Sequence, residues 1–138
     1  MILLDTNVLI YAADPGPPQR PWARATIADA LAAQGAAINA VSLAEIYVGE
    51  PNPESAADLI RSWGVQILDA PAAAASVCAS AYVTYRERRA EQSGKGSPRM
   101  PLPDFFIGAH AQVMEWAVAT ADPARFNTYF PSVTLETP

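Results

Sequence analysis

The chain has 138 residues, 51% of them hydrophobic and 17% charged, which suits one ordinary folded domain and excludes a disordered segment. Nine Lys and Arg against 14 Asp and Glu leave a net charge of -5, which counts against a protein that coats nucleic acid electrostatically. Cys78 is the one cysteine, so an internal disulfide and a Cys-based metal site are both excluded. The first residues lack a basic stretch ahead of an apolar one, and no apolar run is long enough to span a bilayer, so a cytoplasmic protein without membrane contact is expected.

Ile2-Leu3-Leu4 is a continuously apolar run, the pattern of a strand buried on both faces. Thr6 to Ala13 reads as a helix ended by Asp14-Pro15-Gly16-Pro17-Pro18, and Arg20 to Gln34 as a second helix stopped by Gly35. Ala37 to Ala40 reads as a weak strand. Ser42 then stands three residues before Glu45, the spacing of a capping box at the start of a helix. After the break at Pro51-Asn52-Pro53 come a helix over Glu54 to Trp63 and a strand over Val65 to Leu68. Ala72 to about Glu91 is a long Ala-rich helix. Ser93 to Pro98 is a loop, Pro103 to Glu115 a helix, Trp116 to Thr120 a strand, Pro123 to Asn127 a helical turn and Val133 to Leu135 a last strand.

Short apolar strands alternating with helices predict an α/β fold over residues 1–138, with a short, mainly parallel central sheet flanked by helices on both faces. In such sheets, sites gather beyond the carboxyl ends of the strands. Asp5 follows the first strand, Asp122 follows the strand that ends at Thr120, Asp104 opens a helix, and Glu45 lies in the helix after the second strand. Each has a structural alternative. Asp5 and Asp122 suit helix caps, Asp104 favours a helix N-terminus, and Glu45 suits the capping box with Ser42. Glu45 also shares a helical stripe with Val41 and Val48, where a carboxylate is costly unless paired.

Brought together, four acids would conflict: two carboxylates about 4 Å apart repel by about 4 kcal/mol at an effective dielectric near 20. Cations or protons must compensate. Oxygen ligands suit Mg2+ or Mn2+, and such ions support phosphodiester hydrolysis by activated water without a His or Lys base.

The opening Ile2-Leu3-Leu4-Asp5-Thr6-Asn7-Val8-Leu9-Ile10-Tyr11 resembles the first strand and helix of PIN domains. Ser42 to Ile46, Leu102 to Ala111 and Thr120 to Phe126 resemble the second, third and fourth blocks of that family, in family order and over nearly the whole chain. The subgroup most similar in length is the VapC-type toxin of bacterial toxin–antitoxin pairs. The resemblance implies a Mg2+ (or Mn2+) site of Asp5, Glu45, Asp104 and Asp122, with Thr6, Asn7 and Thr120 supporting ligands or bound water. It further implies an endoribonuclease acting on RNA, a VapB-like antitoxin as partner, and a homodimer.

Five of the nine basic residues lie between Arg86 and Arg99. Arg86, Arg89, Lys95 and Arg99 are read as a grip for RNA phosphates, against the alternative of a solvated helix face, since Glu87 and Glu91 interleave with them. His110, the only histidine, is read as packed, and Cys78 as buried and inert. A phosphatase of the haloacid dehalogenase type, which needs Asp-x-Asp after the first strand, meets Asn7 at the third position. The other alternative is a non-catalytic PIN-like interaction module, which should show no acid-dependent Mn2+ uptake.

Overall fold

The computed structural model describes residues 1–94 and 96–138. Five strands form one parallel sheet: β1 (Ile2–Leu4), β2 (Ala36–Asn39), β3 (Gln66–Leu68), β4 (Ala117–Ala119) and β5 (Leu135–Glu136), in the order β3-β2-β1-β4-β5. Among the described residues, seven helices join them: α1 (Thr6–Ala13), α2 (Arg20–Ala33), α3 (Ala40–Val48), α4 (Pro53–Ser62), α5 (Ala74–Ser93), α6 (Pro103–Met114) and α7 (Ala124–Tyr129).

β1 and β4, at the centre of the sheet, are apolar throughout because both faces are covered. Successive side chains point to opposite faces of a strand. Ile2 and Leu4 of β1 therefore enter one core with Val8, Leu9, Ile27, Ile38 and Ile60, beneath α1 to α4. Leu3 enters the other with Cys78, Tyr82, Phe105, Ile107, Val118, Phe126 and Phe130, beneath α5 to α7. The expected α/β architecture, with helices on both faces, is the one found. No described helix is long and apolar enough to cross a membrane.

The order of the strands decides where a site can form. From β1 the chain winds outward through β2 and β3, then returns to the opposite flank of β1 to lay down β4 and β5. Helices leave to opposite faces there, so a crevice opens beyond the carboxyl ends of β1 and β4. Leu4 pairs with Ala119 at that edge, and the Asp5 amide donates to the Ala119 carbonyl at 2.9 Å.

One element begins earlier than its sequence predicts. α3 starts at Ala40 and is capped by Asn39, whose side-chain oxygen accepts from the Val41 and Ser42 amides at 3.0 and 3.1 Å. Ser42 is thus buried inside the first turn, and the capping box with Glu45 does not form. The stripe through Val41, Glu45 and Val48 does not face the core either: Val48 is 91% exposed and Glu45 is exposed.

Candidate metal centre

Asp5 stands at the N-cap position of α1 with extended backbone, but its side chain makes no capping bond. The carboxylate turns instead across the crevice. Its Oδ2 accepts from the Thr120 hydroxyl and from the Asn7 amide nitrogen, both at 2.7 Å. Thr120 is fully buried at the end of β4, and its hydroxyl oxygen also accepts the Asp122 amide at 3.0 Å. The Asn7 side-chain oxygen accepts the Ala121 amide at 3.2 Å. Asn7 and Thr120 therefore lace the first turn of α1 to the end of β4 and fix the direction of the Asp5 carboxylate.

Asp5 is only 5% exposed. Burial, above all, pushes its carboxyl up from 3.8 to about 6; the Thr120 hydrogen bond opposes the rise, the Asp104 charge adds to it, the Thr6 amide opposes it and the Glu45 charge adds to it. Asp5, Asp104 and Glu45, from three different elements, thus share one electrostatic environment. Glu45 is exposed on α3 and accepts the buried Thr6 hydroxyl at 2.6 Å, so Thr6 ties the first and second acids together. Asp122 is exposed beyond β4, is linked to the others through its amide, and does not cap α7, whose N-cap is Pro123.

Asp104 lies in the first turn of α6, behind Pro103. Its Oδ2 accepts a hydrogen bond from the Arg125 guanidinium of α7, an ion pair between a 25% exposed acid and a 37% exposed base. Arg125 stands in the fourth sequence block, whose pattern assigns it no role. One signal was available: Arg125 is the only Lys or Arg after Arg99, in a stretch that holds Asp104 and Asp122.

As these side chains stand, no three Asp, Glu, His or Cys residues are grouped at ligand spacing among the described residues. The donor set nevertheless fits a hard divalent cation. It is made of carboxylates alone, it holds a buried acid disfavoured as an anion, and two further carboxylates raise that acid's pKa. A cation there would relieve the conflict that burial and like charge impose on Asp5.

Of the basic residues predicted to grip RNA, Arg89 is connected to the site. It donates to the Tyr85 hydroxyl at 2.9 Å, and the Tyr85 ring lies 5.8 Å from the Arg125 guanidinium. Arg86 is exposed on α5 beside Val83 and Glu87, and Arg99 is exposed in the segment before α6. Lys95 lies outside the described residues. His110 is buried as expected, with Nδ1 3.4 Å from the Asn39 side-chain nitrogen and its ring against Trp116.

The model of the PIN domain family matches residues 2–129. No curated protein matches the chain by sequence. Among solved structures, the chain resembles VapBC2 from Rickettsia felis bound to a promoter DNA fragment, with 23% identity, a TM-score of 0.67, and coverage of 100% of this chain and 99% of that one. It also resembles FitAcB from Neisseria gonorrhoeae, with 26% identity, a TM-score of 0.61, and coverage of 98% and 96%. A third similar structure is Mycobacterium tuberculosis VapC20, a toxin that cleaves the sarcin–ricin loop, with 15% identity, a TM-score of 0.60, and coverage of 97% and 99%.

Proposed function

We propose that this chain, which belongs to the PIN domain family, is a Mg2+- or Mn2+-dependent endoribonuclease and the toxin of a toxin–antitoxin pair. The observation that carries the reading is the Asp5 carboxylate, buried at the switch point of the sheet and aimed by Thr120 and Asn7 into a crevice shared with Asp104 and Glu45. Of the similar structures, one is a toxin–antitoxin complex from Klebsiella pneumoniae and another is a toxin that cleaves the sarcin–ricin loop.

In this reading Asp5 and Asp104 are the central ligands, and Glu45 and Asp122 complete the set from the rim. A divalent cation held there supplies Lewis-acid activation of water and neutralises charge on the phosphodiester. The protein's own share is positioning. Thr120 and Asn7 occupy one oxygen of Asp5, leaving its Oδ1 for the crevice. Thr6 orients Glu45, and the Asp122 amide on Thr120 keeps the fourth acid beside the strand end. No histidine takes part, because His110 is buried against Asn39 and Trp116 and burial lowers its pKa. Arg86, Arg89, Lys95 and Arg99 supply phosphate contacts along α5 and the segment that follows it.

A groove of about 550 Å3 between α1, α3 and α4 fits a VapB-like antitoxin. It is floored by Leu9, Ile46, Ile60 and Trp63, and Ile10 and Leu59 stand about half exposed at its edge. Two of the helices that line it, α1 and α3, also carry Thr6 and Glu45. The same reading has the protein work in the cytoplasm, where RNA is, as a homodimer.

The test is substitution of single acids. Asp5→Asn and Asp104→Asn should each abolish cleavage of RNA while circular dichroism shows unchanged helix content. Full activity in either variant would remove the acid site from the mechanism.

A further inference from the structure

The pair between Arg125 and Asp104 joins a base to an acid that the proposed function assigns to a metal. Both side chains are partly exposed, so nothing in the burial of either one demands the pair. Its effect is electrostatic: the guanidinium sets a positive charge on Asp104, the acid whose own charge reaches the buried Asp5 carboxylate.

Arg125 is also tethered. Its guanidinium lies 5.8 Å from the centroid of the Tyr85 ring. Tyr85 is itself fixed by contacts with Tyr82, Phe105 and Tyr129 and by the Arg89 donor on its hydroxyl. If Asp104 turns to another cation, Arg125 keeps this platform and remains at the edge of the crevice. A guanidinium in that place has its N–H donors unspent, and a planar fork of donors matches two oxygens of a phosphate.

We infer that Arg125 is a substrate-gripping residue with two alternating partners: the Asp104 carboxylate before metal binds, and a phosphate oxygen of the RNA once Asp104 has turned to the metal. The inference rests on the proposed function. It also makes metal and RNA uptake mutually reinforcing, because either one takes a partner from the pair, and coupling between two ligands is reciprocal.

The test uses the full chain and its Arg125→Gln, Arg125→Lys and Arg88→Gln variants. Arg88 packs over Tyr129, 5.6 Å from its centroid, and serves as a charge-loss control on the same aromatic cluster. Mn2+ affinity is measured by calorimetry, with and without a cleavage-resistant 2′-O-methyl phosphorothioate oligoribonucleotide. Affinity for the oligonucleotide is measured by fluorescence anisotropy. Arg125→Gln should bind Mn2+ alone about three- to tenfold more tightly and the oligonucleotide about tenfold more weakly, and the oligonucleotide should no longer tighten Mn2+ binding. Arg125→Lys should stay near wild type for Mn2+, and Arg88→Gln should leave Mn2+ affinity unchanged. Unchanged Mn2+ or oligonucleotide affinity in Arg125→Gln, or equal tightening of Mn2+ binding in Arg88→Gln, overturns the inference. A wild-type chain that takes up no Mn2+ overturns the metal site as well, whereas wild-type uptake with an unaltered Arg125→Gln overturns only the role of Arg125.

Discussion

Asp5 and His110 are both buried, and burial moves their pKa values in opposite directions because it disfavours an anion in one and a cation in the other. The consequences for stability also oppose each other. The folded protein protonates Asp5 near 6 and the unfolded chain near 3.8, so between these values the folded state binds more protons. Asp5 therefore destabilises the metal-free fold above about pH 6, and this penalty, about 3 kcal/mol, is relieved as the pH falls towards 4. His110 acts the other way: its folded pKa lies below the ordinary 6.5, so it withdraws stability as the pH falls below that value. Asp5→Asn isolates the first effect. Without metal it should raise the melting temperature at pH 7.5, and the advantage should shrink at pH 4.5. Excess Mn2+ should raise the melting temperature of the wild type and not that of the variant. Equal melting temperatures for the two proteins at both pH values would show that Asp5 carries no such penalty.

At the scale of elements, the helix that follows the first acid and the helix that bears the third are held by different means. α1 is laced to β4 through Asn7 and Thr120. α6 lies tight against the end of α7 because Gly108 has no side chain: a Cβ there would stand 2.3 Å from the Phe130 ring, and Phe130 is fully buried. Gly108→Ala should therefore destabilise the fold by about 1–3 kcal/mol, read as a shift in the urea midpoint. Asn39→Ala removes the cap of α3 and should lose about 1–2 kcal/mol by the same readout. A midpoint unmoved by either change would contradict the packing described.

These elements also show what the sequence makes legible. β1 and α1 were readable to the residue, because an apolar triplet followed by an acid and a helical run admits little else. The start of α3 was not, because Asn39 both ends β2 and caps α3, while Ser42 and Glu45 imitate a cap three residues later. The positions of Asp5 after β1 and Asp104 at the start of α6 were legible from the run of strands and helices, and Thr120 entered only through the family resemblance. The proximity of Glu45 and the pairing of Arg125 depend on how α3 packs near α1 and α7 near α6, contacts that no spacing along the chain encodes.

At the scale of the whole molecule, a net charge of -5 must be reconciled with a polyanionic substrate. In the proposed function Arg89 offers part of a local answer, on the side where it meets Tyr85 and Arg125. Reversing charge at Arg89 and Arg99 together should slow RNA cleavage and make it less sensitive to salt, since fewer counterions are displaced. Unchanged cleavage with an unchanged salt slope would make these arginines a solvated face.

The most direct measurement is digestion of total bacterial RNA by the purified, partner-free chain, with Mn2+ or Mg2+ and with EDTA. Discrete fragments that form with either metal and vanish with EDTA are the predicted result, and mapping their ends would identify the target. Cleavage that persists in EDTA, or intact RNA in both metals with a folded protein, would contradict a metal-dependent ribonuclease built on these acids.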